Sequence, residues 1–529
     1  MKKTLYLGNI LTMEEPLYAQ AMLVENGKIV AIGTKEQVLD FVDAETEQVE
    51  LGDKLLMPAF IDAHSHFSGC ANAMVQVPLA EAVTFEEIEE RIAQHIKEQN
   101  IPAGQFVVAQ GYDHNKLKEK AHPTKEVLDR AAPNNPVLMQ HQSGHMGVLN
   151  TAALEKFGVT MDTQAPAGGM IEKKNGEVTG YMEENAFLTY LKQVPMPSAQ
   201  DMLDIFDKTQ KMYASYGITT VQEGMLVQEL APFYQMLLQQ NRLWLDVVGY
   251  GDLNKAEFMK EIFHNNIGKY QGHFRLGGYK IFLDGSPQGK TAWMLHPYFN
   301  AEDGYRGYPT MTDEQVEQAI RVAVQDKTQI LAHCNGDAAA EQYVCAAEKV
   351  AKENSLLCSL KPVIVHAQLT TANQLERAHK IGMMPSFFIA HILHWGDVHI
   401  ENFGLERASQ ISLAGTAQKI GMPFTFHQDA PVIMPDMLET VWCAVQRTTK
   451  DGVVLGEDER ISPLEALKAV TLYAAYQYSE EQNKGSLAVG KQADLVILSD
   501  DPLKVEPDDI RKIEVLQTIK EGKTIFVKE

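Results

Sequence analysis

Two histidines with one residue between them close an apolar run in Met57-Pro-Ala-Phe-Ile-Asp-Ala-His-Ser-His66. On an extended segment, residues two apart point to the same side. His64 and His66 can therefore offer two imidazoles to one metal ion. Four later apolar, β-rich runs also carry a ligand-type residue. Gly277-Gly-Tyr-Lys-Ile-Phe-Leu-Asp-Gly285 supplies Lys280, and Ile330-Leu-Ala-His333 supplies His333. Val363-Ile-Val-His366 supplies His366, and Phe424-Thr-Phe-His-Gln-Asp429 supplies Asp429. A single histidine at a strand end is more often a core or loop residue, so the ordered series carries the weight. Nitrogen and oxygen donors without thiolates suit zinc, with manganese, iron or nickel as alternatives.

Lys280 has two readings. Alternation puts Lys280, Phe282 and Asp284 on one strand face, where an unpaired ammonium would be costly. Either the lysine forms a buried ion pair, with Asp284 the candidate partner, or its amine is carboxylated by CO2. The second case gives an anionic oxygen ligand able to bridge two metals.

The elements that must position these groups fall into three stretches. Residues 4–7, 21–25 and 28–32 read as short strands, the last two joined by the hairpin signal Asn26-Gly27. Residues 493–498, 515–519 and 524–527 have the same character, so the two ends are expected to pair into one small β-domain. Between them, apolar strand candidates alternate with helical periodicity. The strand candidates are 56–61, 106–109, 137–140, 219–223, 245–250, 279–283, 330–333, 363–366, 382–385 and 424–428, and helices are read at 312–324 and 338–352. Such alternation predicts an α/β fold, a (β/α)8 TIM barrel with its active site at the C-terminal strand ends. The expected domains are a composite β-sandwich from residues 1–56 and 481–529, and a barrel over 57–480. An insertion at about residues 70–205 is expected to lie over the barrel mouth.

The formal net charge is −23, from 47 basic and 70 acidic residues, which argues against nucleic acid or an anionic membrane as partner. The five cysteines are scattered, with no C-x-x-C pair, so a reducing, cytoplasmic setting is expected. The apolar run after Met1-Lys2-Lys3 is broken at Gly8 and Asn9, too early for a signal sequence, and no transmembrane stretch is read. A homodimer is the expected assembly, on frequency alone.

Beyond the metal-type motifs, the chain carries Ser143-Gly-His145 followed by Asn150-Thr-Ala-Ala-Leu154, Gly168-Gly-Met170 with Thr179-Gly180 and Glu183, and Asp284-Gly-Ser286. Gly336-Asp337, Asp429-Ala-Pro-Val432, Ala444-Val-Gln-Arg447 and Gly485-Ser-Leu487 with Ala493-Asp-Leu495 follow. In these features, over essentially its whole length, it resembles the amidohydrolase-3 group of the amidohydrolase superfamily. The resemblance implies the barrel, the terminal β-sandwich and hydrolysis of a small-molecule amide at a carbon–nitrogen bond. On this reading one or two divalent metals bind, with zinc expected. His64, His66 and Asp429 hold one, His333 and His366 the other, and carboxylated Lys280 bridges them. A metal-activated hydroxide attacks, and Asp429 acts as general base and then general acid. His145, on motif position alone, is the candidate contact to the substrate oxygen. Asp113, His114 and Glu183 are candidate pocket residues, and Asp337 is a candidate for orienting a ligand imidazole.

Two features depart from the family pattern. His427-Gln428-Asp429 stands where Gly-Ser-Asp is usual, and the segment with His391, His394 and His399 is unusually rich in histidine. Two alternatives stand beside the hydrolase reading: a mononuclear deaminase or cyclic-amide hydrolase, and a catalytically silent binding or regulatory protein.

Overall fold

The computed structural model describes residues 3–195, 198–299 and 301–529. Two compact units emerge, Met1–Ser68 with Asp207–Glu529, and Gly69–Phe206.

In the larger unit eight parallel strands form one curled sheet. In chain order they are β1 (Phe60–Ile61), β2 (Ile218–Leu226), β3 (Asp246–Asp252), β4 (Phe274–Phe282), β5 (Gln329–Cys334), β6 (Val363–His366), β7 (Met384–Phe387) and β8 (Thr425–Phe426). Neighbours in sequence are neighbours in the sheet, and every pairing is parallel. This is a TIM-barrel-like arrangement. Where β8 and β1 come round towards each other, a side chain bridges them. Gln477 accepts from the Thr425 hydroxyl of β8 at 2.8 Å and donates to Ala63 O, just past β1, at 2.8 Å. The backbone of His66 also donates to Ala430 O at 2.8 Å, joining the segments that follow the two strands.

The sheet interior is filled by Ile61, Val248, Tyr250, Leu331, Val363, Val365 and Met384, packed with Ala474, Ala475 and Tyr478. These are inward positions of a period-2 pattern, so the barrel is a packed core with its polar residues displaced to one end.

The run read as one strand over 56–61 divides between two sheets. Leu55–Pro58, the end of a strand spanning Glu47–Pro58, pairs with Leu495–Leu498, whereas Phe60 and Ile61 pair with β2. The first of these sheets has seven strands and takes in both ends of the chain, from Lys3–Leu11 to Lys523–Val527. The strand expected at 382–385 is β7, two residues later, because Gly382 at φ +74 belongs to the turn before it.

The Gly69–Phe206 unit has its own six-stranded sheet and two apolar clusters. The strands expected at 106–109 and 137–140 lie in this sheet, as Val107–Tyr112 and Val137–His141, and not in the barrel. Among the described residues no helix is long and apolar enough to cross a membrane.

Candidate metal centre

The strand ends converge on Asp429. Its Oδ1 is buried without a hydrogen-bond donor, and Nε2 of His64 and Nε2 of His66 each stand 3.4 Å from it. Nε2 of His366 is 4.0 Å from Oδ2. His64, His366 and Asp429 each offer a ligand atom, all within 4.8 Å of one another. Lys280 Nζ is 3.3 Å from Nε2 of His64, and the ring centroids of His333 and His366 are 4.5 Å apart. All six residues read as metal-type are thus gathered in one place.

Hydrogen bonds behind the rings fix which nitrogen faces inward. Gln222, on β2, donates its amide to Ala63 O at 2.7 Å and to the Tyr478 hydroxyl at 2.9 Å. Its Oε1 therefore faces Nδ1 of His64, 2.6 Å away, and must accept from it. The lone pair of His64 is left on Nε2. His333 donates Nδ1–H to Asp284 Oδ1 at 3.1 Å. Asp284 is held in turn by the backbone N–H of Asn335 at 3.0 Å, Gly336 at 2.7 Å and Trp293 at 3.1 Å. His366 has Nδ1 3.1 Å from Nε2 of His427, whose Nδ1 is 2.9 Å from the Ser386 hydroxyl. With the protons running from His366 to His427 to Ser386, Nε2 of His366 is also bare. Backing of this kind sets ring orientation in metal sites.

Backbone conformation completes the arrangement. Val363 and Val365 face the core, so simple alternation would turn His366 away. A φ of +70° at His366 swings it back, and Asp429 has φ +54°. Such conformations cost on the order of 1–3 kcal/mol each and collect at functional sites. Gly224 leaves the room that His64 occupies, since a Cβ there would come within 2.6 Å of His64 Cε1.

Electrostatics follow from burial. Lys280 is fully enclosed, and desolvation outweighs the pull of Asp429 and Cys334, bringing its ammonium down to about 7. Burial first, then Lys280 and the neighbouring imidazoles, holds His64 well below the usual histidine range. His366 is lowered in the same way by burial and by His333 and His427. Asp62, two residues before His64, is pushed up by burial to about 7.

Two expectations are corrected. Asp284 does not pair with Lys280, because its oxygens are taken by His333 and three backbone donors. Asp337 does not orient an imidazole either, since it accepts from Leu295 N at 2.7 Å beyond the cluster. The role expected of Asp337 belongs to Asp284. His145 lies in the Gly69–Phe206 unit, its side chain 60% exposed and its Nδ1 3.1 Å from Glu184 Oε2. His391 and His399 stack on one helix, His391–Ala408, at 3.1 Å between nitrogens, and His394 is 2.9 Å from Glu439 Oε1. Gln222, Gly224 and Ser386 escaped the sequence reading. The polar pair Gln222-Glu223 ending an apolar strand was the available signal for the first.

A divalent cation fits the cluster on its own geometry. The bare nitrogen of His64 faces a carboxylate oxygen that no hydrogen-bond donor reaches among the described residues, and the bare nitrogen of His366 stands 4.0 Å from the other oxygen of the same carboxylate. Lone pairs gathered in this way need a cation between them.

The sequence profile of the amidohydrolase family matches residues 47–526. YtcJ of Bacillus subtilis (strain 168), described as an amidohydrolase, is 26% identical over 544 residues, covering 100% of both chains. N-substituted formamide deformylase of Arthrobacter pascens is 27% identical over 525 residues, covering 95% of this chain and 94% of its own. Among solved structures, a metal-dependent hydrolase of Pyrococcus furiosus superposes with a TM-score of 0.76 at 24% identity. The match covers 95% of this chain and 100% of that one.

Proposed function

The chain belongs to the amidohydrolase family and is a hydrolase acting on carbon–nitrogen bonds, and from that premise we propose that it cleaves a small non-peptide amide with Asp429 as its proton carrier. The observation that carries this reading is the unpartnered Asp429 Oδ1 between two histidine Nε2 atoms, at 3.4 Å from each.

His64, His66 and Asp429 would hold one divalent metal, and His333 and His366 a second. Zinc best suits these donors. Bound there, such an ion would lower the pKa of a water molecule and polarise the scissile carbonyl. Lys280 supports the pair if its neutral amine adds to CO2. The new N–C bond forms as one C–O π bond opens to an anionic oxygen, and the nitrogen gives up one proton to water. The fall of its ammonium to about 7 makes that amine available near neutrality. Asp429 then takes the proton of the attacking water on one oxygen and delivers it to the departing nitrogen. An amine leaves only once protonated, so both halves of that transfer are needed.

The substrate class is proposed as N-formyl and short N-acyl amines, with the Arthrobacter deformylase as the relative that supports it. The seven-stranded terminal sheet buries an apolar cluster on each face, with Leu5 and Leu7 on one and Tyr6 and Ile10 on the other. That burial, with strands from both ends paired in one sheet, supports reading residues 1–56 and 481–529 as one small β-domain beside a 57–480 barrel.

The test is a panel of N-formyl and N-acyl amines offered to metal-stripped and zinc-reconstituted protein. Amine release by the reconstituted form alone is expected. Ammonia from an amidine-type substrate would move the reading to a deaminase, and a fully loaded but inert protein would contradict it.

A further inference from the structure

The Gly69–Phe206 unit contains a second gathering of ligand-type side chains, remote in sequence from those around Asp429. The strand Val107–Tyr112 pairs with Val137–His141 in parallel, and its register shifts between Gln110 and Tyr112 so that Tyr112 faces His141. Gly111 takes φ +92° at that shift, a conformation that favours glycine. The two residues after Tyr112 are Asp113 and His114, so the shift delivers them beside His141.

Their donor atoms form a small triangle. His114 Nδ1 and His141 Nε2 are 3.2 Å apart, and Asp113 Oδ1 is 3.8 Å from His141 Nε2 and 4.0 Å from His114 Nδ1. Zinc binds imidazole nitrogen and carboxylate oxygen at about 2.0–2.2 Å, which places tetrahedral donors roughly 3.4 Å apart. The triangle brackets that value, and a closing of a few tenths of an ångström would complete it.

The surroundings hold the donors in place. Nδ1 of His141 accepts from the backbone N–H of Ser143 at 3.0 Å and lies 3.0 Å from the Ser143 hydroxyl, which fixes the ring's orientation. The ring of His114 stacks on His122 with centroids 4.0 Å apart. His122 is itself held by the Tyr112 hydroxyl at 3.0 Å and the Tyr181 hydroxyl at 3.4 Å. Asp113 and His141 are buried. Rings fixed in advance lower the cost of binding.

We propose that Asp113, His114 and His141 bind a transition-metal dication, zinc first among them, at a site formed within the Gly69–Phe206 unit. Two imidazoles with one carboxylate select zinc, nickel, cobalt or copper over magnesium and calcium, which take oxygen ligands. Three protein donors leave a coordination position for water or a small anion.

The full-length protein is the material for the test, with zinc as the probe. Crystals grown with zinc should show an anomalous-difference peak bonded to Asp113, His114 and His141. In solution, equilibrium dialysis of His114→Gln and of Asp113→Asn should each show one zinc fewer per chain than wild type. A plain imidazole–imidazole hydrogen bond predicts otherwise. No peak at the triangle in crystals whose Asp429 cluster is loaded, or unchanged zinc stoichiometry in both variants, would overturn the proposal. The wild-type crystal decides even if a variant fails to fold.

Discussion

Oε1 of Gln222 stands 2.6 Å from Nδ1 of His64, and the amide nitrogen of the same side chain is committed to Ala63 O and Tyr478. One neutral glutamine thereby sets the tautomer of the most enclosed histidine of the cluster. Gln222→Leu keeps much of the volume and removes that control. Chelator competition should show metal affinity falling about 10–100-fold, the usual loss when such a partner is removed. Stability should drop by about 1–3 kcal/mol, since the buried Nδ1–H of His64 loses its acceptor. Unchanged metal affinity would refute the orienting role.

Lys280 gives a pH-dependent prediction. Desolvation brings its ammonium to about 7, so the amine is mostly protonated below that pH and mostly neutral above it. Only the neutral form can add to CO2. Metal uptake by stripped protein should therefore depend on bicarbonate, and more strongly as pH rises through about 7. Lys280→Met should lose the bicarbonate dependence and keep the fold, because it removes a buried charge. Uptake by wild type that ignores bicarbonate across that range would exclude the carbamate.

Much of the cluster is legible in the chain because each candidate ends an apolar run, and a parallel barrel gathers such ends on one face. His64, His66, Lys280, His333, His366 and Asp429 were all readable in that way. Their supports were not, because contacts between strands depend on register. Nothing in Gly277–Gly285 says that Asp284 turns to His333 instead of Lys280. That follows from the backbone N–H groups of Asn335 and Gly336, which converge on its carboxylate. Likewise His427 was visible as a departure from pattern, but its contact with His366 arises from β6 and β8 flanking β7. The strand over 56–61 misled because apolar runs do not record a change of sheet.

A buried ion network offers a test of stability independent of the metal. Asp246 on β3 contacts Lys484 and Lys520, at 2.5 Å and 2.7 Å. Burial alone would raise its pKa, but the two ammonium groups reverse this and hold it well below 3.8. A depressed carboxylate contributes stability above its unfolded pKa and loses it as pH falls through the folded value. Asp246→Asn should cost about 3–5 kcal/mol at neutral pH, the range for removing one partner of a buried pair. In urea unfolding the gap from wild type should stay constant down to about pH 4 and narrow below it. A gap that does not change with acid would place the effect in packing instead of charge.

The most direct test of the account is turnover by Asp429→Asn with metal content matched to wild type. Asparagine keeps the shape and an oxygen ligand but cannot accept and return a proton. The account predicts correct folding, retained metal and a kcat lowered by at least about 100-fold on the best amide found, the scale of lost general acid–base catalysis. A metal-loaded Asp429→Asn enzyme turning over at the wild-type rate would contradict it.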